Sequence, residues 1–248
     1  MNFLIQFFNT ILYIPLVNLL ILLYVYLPGH DFGIAVIILT LITKLILFPS
    51  SLKSIKSQRK IAIIQPKIKE IQQKYKGDRQ AQSRAMMELY QKEKVNPVSG
   101  CLPLLLQLPI LIALYQVFLR GLDSEILRNT LYGFVPNPGG IDFMFLGIIN
   151  LGQANIFLAL VAGILQFFQT KISLPQKQTS SSTPADKGGK MDFSSMFQSQ
   201  MLYFFPVITV LIVWKLGSMI GLYWITSTLF SIGEQYIVKK KAQPLPNS

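Results

Sequence analysis

A single lysine inside an apolar segment is the residue of this sequence most able to do chemistry. Lys44 lies twelve residues past Phe32, in a stretch from 32 to 51 that carries no other charge. In a helix that spacing puts Lys44 roughly 18 Å into a bilayer. An ammonium group at that depth costs several kcal/mol unless water or polar partners reach it. Lys44 therefore indicates either a hydrated cavity or a side chain that snorkels to the interface.

Polar residues of other apolar segments are candidates for lining such a cavity with Lys44. Thr40 lies one turn earlier on the same helix face. The remaining candidates come from other segments: Gln107, Gln116, Gln166, Gln169, Tyr223, Thr226 and Ser227. Amides in membrane helices often only hold helices together, so the whole collection beside a buried cation is more informative than any member.

Enzymatic motifs are absent from the sequence. It has no HExxH, no Walker motif, no GxGxxG and no paired carboxylates in an apolar segment. One cysteine, Cys101, and one histidine, His30, exclude a disulfide framework and argue against a zinc site. A Ser/Lys protease dyad would use Lys44 as its base, but only ordinary serines are available as nucleophiles. We therefore expect no enzyme, no catalytic residues, no cofactor and no metal.

Composition predicts that lipid is the solvent for most of the chain. Of 248 residues, 51% are apolar and 14% charged, against about 25% charged in soluble domains. The net charge of +12 is concentrated, because residues 53 to 94 hold twelve Lys/Arg and residues 1 to 43 hold none. A basic block between apolar spans marks the cytoplasmic side. This pattern favours membrane topology over sequence-specific nucleic-acid binding.

The basic block itself has the pattern of a helical hairpin. Its first half carries an amphipathic stripe at spacings of three and four, made of Ile61, Ile64, Ile68, Ile71 and Tyr75. Gly77 and Asp78 then supply a helix end and a helix start. A second helix is predicted to run to about Lys94.

These patterns divide the chain into segments of an all-α membrane protein. The ranges are an N-terminal apolar helix at 1–29, TM1 at 30–52, a cytoplasmic helical hairpin at 53–95, TM2 at 96–120, an outer loop at 121–153, TM3 at 154–172, a cytoplasmic loop at 173–195, TM4 at 196–214, TM5 at 219–238 and a cytoplasmic tail at 239–248. From residues alone, the first segment is either a span or an interfacial helix. The N-terminus is expected outside and the C-terminus inside.

Several motifs resemble one known family. Residues 96 to 110 read NPVSGCLPLLLQLPI and are followed by Ala113, Leu114 and Tyr115. This segment closely resembles the signature span of the YidC/Oxa/Alb family of membrane protein insertases, in its short bacterial form. Residues 40 to 49, 65 to 68, 86 to 97 and 221 to 227 extend the resemblance, which covers about residues 10 to 240.

The resemblance implies five transmembrane helices, an outer interfacial helix before them and a cytoplasmic helical hairpin. It also implies a groove that is open to the cytosol and lipid and closed to the outside. Thr40, Lys44 and Trp224 fall on groove positions of the family, and Gln107 belongs to its signature. Gln166 and Tyr223 complete our predicted substrate-binding groove.

Two positions depart from the family pattern. The family usually has arginine where Lys44 stands, and lysine is a point charge without the planar fork of arginine. The outer turn usually reads Phe-Pro-x-Gly-Leu, whereas residues 214 to 218 read WKLGS. The first departure changes the predicted groove charge, and the second loosens the predicted end of TM4.

The predicted function is that of a passive insertase and chaperone in a bacterial plasma membrane. Its expected partners are nascent membrane proteins and membrane lipids, with the Sec translocon and the ribosome as further candidates. The alternatives are an anion channel or transporter that uses Lys44 as its binding site, and a scaffold that only holds other membrane proteins. Inverted repeats, which a transporter would favour, are not evident in the sequence.

Overall fold

The computed structural model describes residues 2–96, 102–119, 124–173 and 193–241. Within these ranges nine α-helices dominate, and their bounds are α1 Asn2–Phe8, α2 Ile14–Tyr26, α3 Phe32–Lys74, α4 Arg79–Lys92, α5 Leu102–Leu119, α6 Ser124–Thr130, α7 Ile156–Ser173, α8 Phe193–Leu216 and α9 Ser218–Lys241. A π-helical turn, Asn9–Tyr13, joins α1 to α2, and a 3-10 turn, Pro28–His30, leads to α3. Two short antiparallel strands, β1 Met144–Phe145 and β2 Ile149–Asn150, form the only sheet there.

Helix α3 is continuous over 43 residues, from the predicted first span into the predicted hairpin. Pro49 and Pro66 both lie inside it. A proline removes one backbone hydrogen bond and can kink a helix, but here the intact turns on either side carry the helix onward. One rigid element therefore joins the apolar segment of Lys44 to the basic hairpin.

Polar side chains hold the turn before α3, at the end of the bundle where α3 begins. Asp31 Oδ1 accepts from the Ile34 amide at 2.9 Å and so caps the helix, while its Oδ2 accepts from the Leu146 amide at 2.6 Å. The buried Asn18 of α2 donates to the Thr130 carbonyl at 3.0 Å and accepts from the Tyr132 amide at 2.7 Å. These bonds tie α2 and α3 to the connection between α5 and α7.

Apolar side chains from six helices form the main core. It includes buried residues of α2, α3, α5, α6, α7 and α9, among them Leu20, Val36, Leu114, Leu127 and Tyr223. Burial of such side chains contributes roughly 1.5–3 kcal/mol each in water, whereas within lipid close packing takes a larger share. The core fixes α3, α5 and α9 next to one another.

The hairpin of α3 and α4 has a small core of its own. Ile64, Ile68 and Val95 are buried, with Ile61, Met86, Leu89 and Tyr90 packed against them. Asp78 caps α4 by accepting from the Gln80 and Ala81 amides, each at 3.0 Å. An ion pair of 2.6 Å joins Lys67 to Glu93, and its hydrogen bond holds the pKa of the Glu93 carboxyl below the ordinary value. Three residues of the predicted stripe, Ile61, Ile64 and Ile68, therefore pack inward, with Gly77 and Asp78 at the turn.

Helices α8 and α9 meet at a single residue, Gly217, whose φ is +104°. Its amide donates to the Val213 carbonyl at 3.0 Å, the bond of a left-handed helix end that glycine favours. The outer turn predicted around Lys215 and Gly217 is thus reduced to one residue. The two helices are accordingly longer than the predicted TM4 and TM5.

Helices α7 and α8 pack closely at Gly163, so a larger residue there should lower the stability of the protein. A Cβ added there would overlap Cγ2 of Val210 and lie 3.2 Å from the Pro206 carbonyl oxygen. Gly163→Ala is therefore expected to lower stability by about 1–3 kcal/mol. The thermal unfolding midpoint of the purified protein in detergent micelles measures the change.

Gly233→Ala is the matched control, because a Cβ on that α9 glycine meets nothing within 4 Å. Alanine also favours a helix interior, so the midpoint of this variant should match or exceed that of the original chain. An equal decrease of the unfolding midpoint in both variants would show that α7 and α8 are not in close contact at Gly163.

Three helical segments of the described ranges are long and apolar enough to cross a membrane: Ile5–Tyr26, Phe32–Lys74 and Ile156–Ser173. Two shorter apolar helices, Gln107–Leu119 and Leu202–Leu216, accompany them. Helix α9 is more polar and is not among these five. The prediction of an all-α membrane protein is confirmed, while the count of five spans stays a prediction.

One predicted loop contains secondary structure, and parts of other predicted segments lie outside the described residues. The predicted outer loop contains α6 and the β1–β2 pair. The start of the signature motif, at 97–101, lies outside the described residues, as do 174–192 of the predicted cytoplasmic loop and 242–248 of the predicted tail. Side chains of the motif are described from Gln107 onward.

Candidate functional site

Lys44 is half-buried on α3 and reaches across to α9. Its Nζ donates to Ser231 Oγ at 3.1 Å. An ammonium group has three donors, and Ser231 accepts from one of them. On the same helix, Leu45 and Ile46 are 60% and 70% exposed. Lys44 is therefore directed at a neighbouring helix, which snorkelling alone would not require.

Gln107 and Tyr223 form a second polar link to α9. The Gln107 amide on α5 donates to the Tyr223 hydroxyl oxygen, and Tyr223 is almost fully buried. Tyr223, Ser227 and Ser231 follow one another at intervals of four on α9, so they share one helix face. The predicted residues Lys44, Gln107 and Tyr223 thus meet along one polar stripe of α9.

Gln166 and Trp224 lie apart from that stripe. Trp224 Nε1 donates to Gln166 Oε1 at 3.0 Å, which links α9 to α7. Tyr223 and Trp224 are consecutive and so point in directions about 100° apart. The structure brings this predicted pair together but turns it toward α7, away from Gln107.

Thr40 contributes packing more than polarity. It is buried, and its hydroxyl donates to the Val36 carbonyl of its own helix at 2.6 Å. A threonine hydroxyl bonded back to its own helix in this way is not directed at the neighbouring helix. Its membership of the groove stays a prediction, as does the groove itself.

Glu234, which is outside our predicted set, lies beside the Lys44 contact. It is 2% exposed, and its Oε2 accepts from Ser51 Oγ at 2.9 Å. Its charge and that of Lys44 interact electrostatically. The signal available in the sequence was the spacing of Ser227, Ser231 and Glu234, at intervals of four and three on α9. Such a stripe places a carboxylate one turn from the serine that Lys44 contacts.

The C-terminal end of α9 is bonded to α3 and α7. Arg59 of α3 donates to the Val238 carbonyl at 2.8 Å, one of the last four carbonyls of the helix, which have no partner within it. A cation at a helix C-terminus also interacts favourably with the helix dipole. Gln235 donates to Ser173 Oγ of α7 at 2.5 Å. Helix α9 is therefore the common partner of α3, α5 and α7.

This arrangement suits recognition of charge more than catalysis. A serine hydroxyl contacts Lys44 and a carboxylate lies nearby, and an ammonium group bonded to one acceptor has further donors for a negatively charged ligand. Burial strengthens such a contact because the effective dielectric constant is lower than in water. An acidic group brought to Lys44 would meet both a cation and a carboxylate.

Comparison with known proteins gives one consistent result. The model of the family described as 60Kd inner membrane protein matches residues 23–244. Among curated proteins, the "Membrane protein insertase YidC" of Francisella tularensis subsp. novicida (strain U112) is 36% identical over 213 residues, covering 86% of this chain and 33% of that protein. The proteins of the same name from Francisella tularensis subsp. tularensis (strain WY96-3418) and subsp. holarctica (strain LVS) match with the same identity and coverage.

The chain spans about a third of the length of these relatives. The family match and the apolar helices identify it as a multi-pass membrane protein. The family model covers all of α3 to α9, including every residue of the site described above. The chain therefore belongs to the 60Kd inner membrane protein family, the family of the YidC proteins.

Proposed function

We propose that this chain is a membrane protein insertase and chaperone that guides nascent transmembrane segments into the bilayer. The relatives that it matches over 86% of its length are named insertases. They do not favour the anion channel or transporter as an alternative. The proposal assigns no catalytic chemistry to the chain, since client movement needs only a path and a driving force.

The observation that supports this function best is the position of Lys44. It is the only cation of its apolar segment, and it is half-buried against the polar stripe of α9. A client whose short outer-going tail carries Asp or Glu would meet a charge-assisted contact there. Without such a contact, a charged side chain at the bilayer centre costs about 2.5–3.5 kcal/mol or more.

In the proposed topology the basic hairpin faces the cytosol and the Asp31 end of the bundle faces outward. The excess of Lys/Arg between residues 53 and 94 supports this orientation, with the N-terminus outside and the C-terminus inside. Five spans cross the bilayer, and the apolar N-terminal helix lies at the outer interface. Nascent membrane proteins are the clients, and the Sec translocon and the ribosome are candidate partners.

Two forces move the client outward in this proposal. Transfer of an apolar helix from water to lipid is favourable by about 25 cal/mol per Å² of apolar surface. The membrane potential adds about 2.3 kcal/mol per charge per 100 mV, and a potential that is negative inside drives an acidic tail outward. The role of Lys44 is to lower the free-energy barrier that the acidic tail crosses between the cytosol and the outside.

The test is insertion by the chain alone. The purified full chain in proteoliposomes should protect the tail of a translated single-span client, with two aspartates in that tail, from added protease. Empty liposomes and liposomes that hold an unrelated membrane protein are the controls. Equal protection in all three preparations would contradict the proposed function.

A further inference from the structure

The buried carboxylate beside Lys44 suggests how the site selects among clients. Glu234 is 2% exposed, and one of its oxygens, Oε1, is buried without a hydrogen-bond partner among the described residues. Burying a carboxylate is costly unless a cation or donors compensate for lost water. Ser51 supplies one donor to Oε2. The unsatisfied oxygen therefore marks an acceptor that the resting bundle leaves open.

Lys44 is the cation placed to compensate Glu234. It contacts Ser231, three positions before Glu234 on the same face of α9, and the two charges interact electrostatically. On the same two helices, the rings of Phe48 and Phe230 pack edge to face with centroids 6.3 Å apart. Aromatic packing of this kind keeps α3 and α9 in register, so the carboxylate stays near the ammonium group.

The serine contacts also keep the two charges from pairing directly. Lys44 donates to Ser231 at 3.1 Å, and Glu234 accepts from Ser51 at 2.9 Å. Each charge is thus bonded to a neutral hydroxyl on the opposite helix. Lys44, bonded to Ser231, keeps other N–H donors for a negatively charged ligand. The nearby carboxylate of Glu234 weakens the electrostatic attraction between Lys44 and that ligand.

We propose that Glu234 is a specificity-determining residue, the internal counter-charge of Lys44, with which an acidic client tail must compete. This inference rests on the proposed function of the chain. Glu234 lowers the affinity for tails with one or two acidic residues, and it disfavours capture of other anions. Ser51 holds Glu234 back from Lys44 and so keeps the site available.

The experiment measures binding separately from insertion. The full chain in nanodiscs is titrated with a labelled synthetic peptide, one apolar span with two aspartates in its tail, and with a twin that has two asparagines. The ratio of the two dissociation constants isolates the contribution of tail charge. Insertion by proteoliposomes tests the proposed function by itself, so failure of insertion and failure of this inference are distinguishable.

Two single variants should move this ratio in opposite directions. Glu234→Gln keeps an acceptor for Ser51 but removes the charge, so the preference for the aspartate tail should rise about fivefold. Ser51→Ala frees the carboxylate to approach Lys44, so the preference should fall by a similar factor. An unchanged or reduced preference in Glu234→Gln overturns the proposal. If that variant does not fold, Ser51→Ala decides alone, and an unchanged ratio overturns it.

The double variants supply the control. In a Lys44→Met background, Ser51→Ala should not alter the ratio, because no cation remains for the carboxylate to approach. Glu234→Gln should shift the ratio by less than in the original chain, because only the direct repulsion between the carboxylate and the tail is then removed. A shift of the same size with and without Lys44 would mean that Glu234 does not act as the counter-charge of Lys44, and that result also overturns the proposal.

Discussion

Insertion of a client with an acidic tail is expected to fall about 10- to 100-fold when Lys44 is replaced by methionine. Methionine keeps most of the side-chain volume, so the change removes the charge and the bond to Ser231 without opening a large cavity. Hydrogen bonds to charged groups contribute about 1.5–3 kcal/mol, and each 1.36 kcal/mol corresponds to a factor of ten in rate. Protease protection of the client tail in proteoliposomes gives the rate.

Three controls define this prediction. Lys44→Arg retains the charge and should keep insertion within about twofold. Lys56→Met removes an exposed lysine of the same helix and should have little effect. A client with asparagines in its tail should be insensitive to residue 44. Full insertion of the acidic client by the methionine variant would refute the charge-attraction role.

The second large effect is expected from removing the hairpin. Replacing residues 62–94 with a short Gly-Ser linker should abolish insertion while leaving the bundle in the membrane. The hairpin has its own core around Ile64, Ile68 and Val95, so its loss need not disturb the main core. The deletion begins after Arg59 and so keeps its contact with the Val238 carbonyl. Complementation of a depletion strain is the measurement, with membrane extraction as the test of embedding.

A matched pair of substitutions tests the same prediction without a deletion. Ile68→Asp places a charge in the small core and should separate α4 from α3, since an unpaired buried charge is strongly unfavourable. Ile63→Asp makes the same change on the same helix at a residue that is 76% exposed. The first variant should behave like the deletion and the second like the original chain. A deletion variant that still supports growth would show that the hairpin does not receive clients.

Local sequence patterns predicted much of the fold. The inward stripe at Ile64 and Ile68, the cap at Asp78 and the turn at Gly217 each depend on residues within a few positions of one another. These features are set by helix periodicity and cap chemistry, which are readable from the sequence.

Contacts between distant segments were not predictable in the same way. Ser51 and Glu234 are 183 residues apart, and Arg59 reaches the Val238 carbonyl over 179 residues. Periodicity assigns residues to helix faces but does not say which faces meet. The sequence grouped Gln166 and Trp224 with Lys44, but it did not indicate that these two residues bond to each other and link α7 to α9. Pro49 was expected near the end of a span, yet α3 continues through it because its neighbouring turns are intact.

The most direct test of a positive site that receives clients is photocrosslinking from two adjacent positions of α3. Leu47 is half-buried one turn past Lys44, whereas Ile46 is 70% exposed and points about 100° away from Leu47. A photoreactive leucine analogue at position 47 should capture the acidic tail of a translating client, and the same analogue at 46 should not. The crosslink should disappear with Lys44→Met or with asparagines in the tail. Equal capture from both positions, or capture that ignores both charges, would contradict the account.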